Sequence, residues 1–268
     1  MAEKIRHVVK TRVEKMDQAP RLAVLLIGDD PASHTYVKIK GQACAEAGIG
    51  FEKFLYVAET PENVLLEKIA ELNARADITG ILVQLPLPSQ NASTIIAIIN
   101  PNKDVDGFHP ENLRRLRAGE PSIASAVALG VMKLLDAANP SFAKTAALVC
   151  SPLFAEPLVL LLRERKISAD IVKADDAKIK TADIVVVAVG KPGIIRGEMI
   201  KPGSVVIDVG TTKIDGKLVG DVDEASVEPI AGYLTPVPGG VGPMTVAMLL
   251  VNILKAQDLQ RRAANADA

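Results

Sequence analysis

The segment TADIVVVAVGKPGIIRGEMIKPGSVVIDVG, residues 181–210, carries two nearly unbroken apolar runs, Asp183 to Val189 and Ser204 to Val209, each followed by a glycine. Short β-branched runs bounded by Gly and Pro read as strands buried on both faces, the signature of a parallel sheet. Working outward, similar runs stand at Leu22 to Ile27, Gly80 to Leu85, Thr145 to Cys150 and Ala169 to Lys173, with helix-period segments between most of them. This alternation predicts an α/β fold with helices covering the sheet. KIDGKL adds a hairpin signal at Asp215-Gly216, and a last helix is expected after Gly242-Pro243. The apolar pattern breaks at Arg114 to Pro121, which puts a domain boundary between residues 118 and 119.

Composition removes several classes of function. The chain has 268 residues, with 31 basic and 32 acidic side chains and a net charge of -1, so no overall field draws in a polyanion. With five Phe, three Tyr and no Trp, it also lacks the aromatics on which single-stranded bases stack, and nucleic acid is not an expected partner. Cys44 and Cys150 sit in apolar surroundings outside any CxxC pair, which fits a reducing cytosol better than a disulfide framework. The N-terminus mixes both charges, and no run of about 18 apolar residues occurs, so a cytoplasmic protein without a membrane segment is expected.

Four stretches could carry chemistry. In GDDPASHTYVKIKGQACAEAG, Asp30 suits an N-cap and Pro31 the first turn, predicting a helix to about Glu46. Ser33, Tyr36 and Lys40 then share one face, a pattern that a partly solvated helix with a snorkelling lysine also produces. GILVQLPLP ends a strand at Gln84, where it meets a ligand or caps strand-end backbone. NPNKDVDGFHP places Asp104 and Asp106 before Gly107, either as paired carboxylates or as an Asx-type turn. Neither these acids nor His7, His34 and His109 have metal-ligand spacing, so no metal is expected. TPVPGGVGPMTVAMLLVNIL has a glycine-rich approach to a helix but no Walker lysine.

Taken in order, YVKIK, VQLPLP, KDVDGFHP, AVGKPG, VIDVG and PVPGGVGPMT closely resemble the bifunctional methylenetetrahydrofolate dehydrogenase/cyclohydrolase family, over about Leu22 to Leu254. The resemblance implies a folate-binding domain, residues 1–118 plus a returning C-terminal helix 243–268, and a Rossmann-like dinucleotide domain, residues 119–242. It also implies a homodimer. Tyr36 matches the tyrosine that packs on the folate, Lys40 the catalytic lysine, Gln84 its hydrogen-bond partner, and Asp106 the carboxylate that grips the pterin. Ser33, Val83 and Leu85 flank these as substrate contacts, and Pro238, Gly239 and Gly240 match a loop closing over the substrate. On the coenzyme side the implied residues are Ser151, Pro152, Val189, Gly190, Gly210 and Thr211.

In the family's dehydrogenase step, the methylene carbon between N5 and N10 gives hydride to a nicotinamide and becomes a cationic methenyl bridge. In its cyclohydrolase step, water adds to that cation and the ring opens to 10-formyltetrahydrofolate. Proton transfer near neutral pH suits a desolvated, neutral lysine.

The coenzyme half departs from the family pattern. Where the family has a glycine-containing phosphate loop, this chain reads CSPLFAEP, with Pro152 removing an amide and Glu156 adding a charge. The family's Pro-Cys-Thr-Pro has become SAVA, residues 125–128. In IVKADDAKIK, Asp175 and Asp176 would repel a 2′-phosphate yet could bond a free ribose, so NAD is as plausible as NADP. The expectation is therefore a methenyltetrahydrofolate cyclohydrolase whose dehydrogenase activity is lost or severely weakened. The ordinary bifunctional NAD(P)-dependent enzyme is the first alternative, and a non-catalytic folate-binding relative the second.

Overall fold

A computed structural model describes residues 1–266, so residues 267 and 268, which end the expected C-terminal segment, lie outside the described residues. The described residues divide into two compact units, residues 1–126 with those from 246 onward, and residues 127–245.

The first unit contains α1 (Ala2–Val13), β1 (Arg21–Ile27), α2 (Pro31–Glu46), β2 (Gly50–Tyr56), α3 (Glu62–Ala74), β3 (Gly80–Val83), α4 (Ala92–Ile98) and α5 (Pro110–Ala118). Its three strands pair in parallel in the order β2-β1-β3. The central position of β1 explains its composition: Leu22 through Ile27 are all buried. Leu65, Ile69 and Leu72 form an i, i+4, i+7 stripe on α3 and pack with Ala23, Leu25 and Ile27. Each such side chain contributes roughly 1.5–3 kcal/mol on burial.

Helix α2 starts as its sequence predicts, with Asp30 Oδ2 accepting the Ser33 amide at 2.8 Å and Pro31 in the first turn. Strand β3 ends at Val83, two residues before the expected end, although the Gln84 amide still donates to the Leu25 carbonyl at 2.9 Å. Strand β2 was not predicted. Its sequence GFEKFLY interrupts the apolar run with Glu52 and Lys53, which a strand at the edge of the sheet tolerates.

The second unit contains α6 (Ala126–Ala138, from its second residue), β4 (Thr145–Cys150), α7 (Pro152–Glu164), β5 (Ser168–Ile171), β6 (Ile184–Ala188), β7 (Val205–Asp208), β8 (Thr212–Ile214), β9 (Lys217–Val219), α8 (Glu224–Val227) and β10 (Tyr233–Leu234). A five-stranded parallel sheet runs β10-β7-β6-β4-β5. In chain order within the unit this is 2-1-3-4-5, a doubly wound nucleotide-binding topology whose switch point lies between β4 and β6. The two-residue β10 gave no sequence signal. The β8-β9 hairpin turns at Asp215 and Gly216, with φ of 48° and 81°, the pair of positive values a tight hairpin requires.

The last helix, α9 (Val241–Ala266), joins the first unit from Val246 onward. The α/β fold with a returning C-terminal helix and a Rossmann-like second unit is thus as the sequence predicts.

Candidate active site

Helix α2 and the end of β3 bring two predicted residues together in the first unit. Lys40 is 6% exposed, and its Nζ donates to Gln84 Oε1 at 2.9 Å. Gln84 Nε2 donates to the Leu85 carbonyl at 2.7 Å, which turns the amide oxygen toward the lysine. A neutral amide therefore orients the amine without adding a charge that would hold its proton. Burial lowers the Lys40 pKa, and the Asp106 carboxylate partly opposes that shift. Asp106 is partly exposed; desolvation raises its pKa and the Lys40 charge lowers it. Cys44, one turn beyond Lys40, is buried and its thiol is pushed up to about 12, so it stays neutral.

Tyr36 lies partly exposed on α2, and Ser33 is buried in the first turn beside its cap, Asp30. Val83 is buried at the end of β3 and Leu85 is partly exposed just beyond it.

Asp104 and Asp106 have different surroundings. Asp104 is 1% exposed; its Oδ1 accepts the Gly107 amide at 3.0 Å, and its Oδ2 accepts the His109 amide at 2.8 Å and Asn112 Nδ2 at 3.1 Å. Asn252 of α9 secures the same loop, donating to the carbonyls of Val105 and Ala124 at 2.9 Å each. Gly107 has φ +79°, and a Cβ there would come within 2.4–2.5 Å of the Ala124 and Ser125 backbone. Sequence reasoning saw the turn but missed these anchors: Asn112 stands on the helix just after the loop, with no local signal that its side chain turns back, and Asn252 is remote in the chain.

Each residue expected on the coenzyme side belongs to the second unit. Ser151 caps α7, its Oγ accepting the Phe154 amide at 3.4 Å, and Pro152 is the first helical residue. The Ala155 amide goes to the Ser151 carbonyl at 2.9 Å. Pro152 carries no amide N–H, which leaves Leu153 as the first amide donor of the helix. After β6, the amides of Val189 and Gly190 donate to Asp221 Oδ2 at 2.6 and 2.9 Å. After β7, the Gly210 amide donates to Asp208 Oδ1 at 2.9 Å, with Thr211 following. Asp208 also accepts the amides of Asp221 and Val222, at 3.0 and 2.9 Å. These two buried acids were missed; an aspartate closing an apolar strand, as in VIDVG, was the available signal.

Pro238, Gly239 and Gly240 form a turn in the second unit, where the Gly240 amide donates to the Pro236 carbonyl at 2.9 Å.

Gly210 lies flat against Asp221: a Cβ would stand 2.2–2.6 Å from its carboxylate. That carboxylate cannot retreat without releasing Val189 and Gly190. Gly210→Ala is accordingly expected to cost about 1–3 kcal/mol, read as a lower denaturation midpoint. Gly190 tests the same fold from the open side, since nothing lies within 4 Å of a Cβ there. The open Gly190 turn and the capped start of α7 follow β6 and β4, the strand ends at the switch point where a doubly wound sheet binds a dinucleotide.

A buried amine oriented by a neutral amide, on a chain that also folds an open-switch-point parallel sheet, defines a class of two-unit α/β enzyme. Residues 1–106 match the family model for the tetrahydrofolate dehydrogenase/cyclohydrolase catalytic domain, and residues 125–261 match that for its NAD(P)-binding domain. A similar protein is the bifunctional protein FolD of Nitratiruptor sp., 44% identical over 98% of this chain and 97% of its own length. Among solved structures, FolD of Campylobacter jejuni is 38% identical with a TM-score of 0.87, covering 96% of both chains. The Trypanosoma brucei methylenetetrahydrofolate dehydrogenase-cyclohydrolase, complexed with NADP cofactor and inhibitor, is 33% identical with a TM-score of 0.89, covering 97% of this chain and 96% of that one. The chain belongs to the tetrahydrofolate dehydrogenase/cyclohydrolase family.

Proposed function

We propose that the chain is a bifunctional one-carbon enzyme, hydrolysing 5,10-methenyltetrahydrofolate to 10-formyltetrahydrofolate and oxidising 5,10-methylenetetrahydrofolate with NAD(P). The observation that carries the reading is the buried 2.9 Å Lys40–Gln84 pair with its lowered lysine pKa. A neutral Lys40 amine takes a proton from the water whose oxygen adds to the methenyl carbon and returns it to N5 as the C–N5 bond breaks, while the remaining hydroxyl proton leaves to solvent as the formyl carbonyl forms. Gln84 keeps the amine lone pair directed. Asp106 accepts N–H donors from the amino-pyrimidine edge, where a charged acceptor exceeds a neutral one. Tyr36 packs on the folate.

For the oxidation, Ser151, the Leu153 amide and the open Gly190 turn would hold the dinucleotide. When bound, it supplies the hydride acceptor. The expectation of a lost dehydrogenase finds no support in the comparisons: the NAD(P)-binding model runs through CSPLFAEP, and curated relatives at 44–45% identity carry the bifunctional name. The ordinary bifunctional reading is the better supported one.

Calorimetry with NAD and NADP tests the oxidative half. Because Pro152 removes an amide donor from the first turn of α7, weak binding of either dinucleotide is expected. Asp175, at the tip of the turn closed by Asp176 N–H to Lys173 carbonyl at 3.1 Å, favours an unphosphorylated ribose. NAD is thus expected to bind at least as tightly as NADP. No heat with either at millimolar concentration would contradict the dehydrogenase half and restore the hydrolase-only reading.

A further inference from the structure

The acid that faces the substrate in the proposed reaction is Asp106, yet Asp106 does not hold itself in place. Its loop, residues 104–109, leaves the edge of β3 through a bridge between Ile81 and Asp104, with the Ile81 amide on the Lys103 carbonyl at 2.7 Å. Beyond that bridge, Asp104 gathers three N–H donors, from Gly107, His109 and Asn112, on its two carboxylate oxygens. Two of those donors are backbone amides just after Asp106. No side chain of similar size except a carboxylate presents acceptors only on both branches; an asparagine would set its NH2 against a backbone N–H.

We infer that Asp104, as its carboxylate, is the positioning residue of this site: it sets the Asp106 loop for folate binding, and its protonation releases that loop. The inference rests on the folate reading proposed above. Burial is the principal cause of an Asp104 pKa raised to about 6, with its three donors holding it down and the Asp106 charge adding to the rise. A buried acid with this value changes charge inside the working pH range, whereas an ordinary aspartate does not.

The other charged groups around the loop have separate duties. Lys103 Nζ donates to the carbonyls of Leu72, Asn73 and Arg75 at 3.2, 2.8 and 2.7 Å. The His109 ring bonds the Ala97 carbonyl through Nε2 and accepts the Glu111 amide at Nδ1. Glu111 pairs with Arg114 and Arg115 at the surface. Lys40 acts on Asp106, and α9 contributes the uncharged Asn252. Among the described groups around the loop, Asp106 is the competing carboxylic acid, its charge already acting on Asp104.

The test is the dissociation constant of folic acid, a non-reacting probe with the same amino-pyrimidine edge, measured by calorimetry from pH 7.5 to 5.0. If only the ionised Asp104 form binds, affinity at pH 5.0 falls by about tenfold relative to pH 7.5, the inverse of the competent fraction for a pKa of about 6. Asp104→Asn is expected to bind about tenfold more weakly already at pH 7.5 and to lose that pH dependence. Carbon-13 NMR of the carboxyl groups in the unsubstituted protein assigns the midpoint to Asp104 or Asp106, and so decides the matter even if the variant does not fold. Affinity unchanged in Asp104→Asn, or a midpoint that follows Asp106, would overturn the inference. Absence of folic acid binding at pH 7.5 by the unsubstituted protein would instead overturn the folate reading itself.

Discussion

Lys40→Met is expected to lower methenyltetrahydrofolate hydrolysis by about 10²–10⁴-fold, the range general acid–base catalysis supplies. Methionine keeps the length and apolar stem of the side chain, and Lys40 is buried, so packing changes little. What disappears is the amine that Gln84 orients at 2.9 Å. The lost amine leaves the Gln84 oxygen without its donor, a cost of about 1–3 kcal/mol that a thermal melt would register. Stopped-flow decay of the methenyl chromophore separates these effects. A chemical role lowers kcat with little change in KM, whereas a purely structural role lowers the melting temperature and leaves turnover of the folded fraction intact.

Gly107→Ala is the second large effect. Its φ of +79° is strained for alanine by about 1 kcal/mol. The steric clash costs more: the new methyl would stand 2.4–2.5 Å from the Ala124 carbonyl group and the Ser125 amide nitrogen, and backbone does not rotate away as a side-chain tip does. Overpacking of this kind costs about 1–3 kcal/mol. Because Gly107 directly follows Asp106 and donates to Asp104, the expected outcome is both a lower denaturation midpoint and a KM for folate raised by at least tenfold. Wild-type values of both would mean that this loop does not hold the substrate acid.

The parts of the molecule legible in its sequence are those governed by local rules. Asp30-Pro31 announces α2 because a cap and a first-turn proline act within one helical turn. Asp215-Gly216 announces its hairpin for the same reason. The buried strands β1, β4, β6 and β7 stand out because central parallel strands are apolar on both faces, although the predicted β6 and β7 runs overshoot where their end residues already belong to turns. Edge strand β2 escaped because Glu52 is free to leave the apolar pattern and pair with Arg75 at 2.8 Å. The site was legible at Lys40 and Gln84, one on a helix face and one at a strand end. Its supports were not, since Asn252 reaches the Asp106 loop only through tertiary folding and Asn112 only by the way α5 turns back on the loop it follows. The same holds for Asp221, which ties down Val189 and Gly190 from more than thirty residues away. In the coenzyme half, CSPLFAEP reads as poor in phosphate donors by local rules, yet the NAD(P)-binding family model matches straight through it.

The measurement that bears most directly on the central proposal is the decay of 5,10-methenyltetrahydrofolate absorbance at neutral pH without any dinucleotide, run side by side on the unsubstituted protein, Lys40→Met and buffer. The expected result is rapid decay with the unsubstituted protein and near-buffer decay with the variant. Decay at the buffer rate in all three samples, or equal acceleration by both proteins, would contradict it.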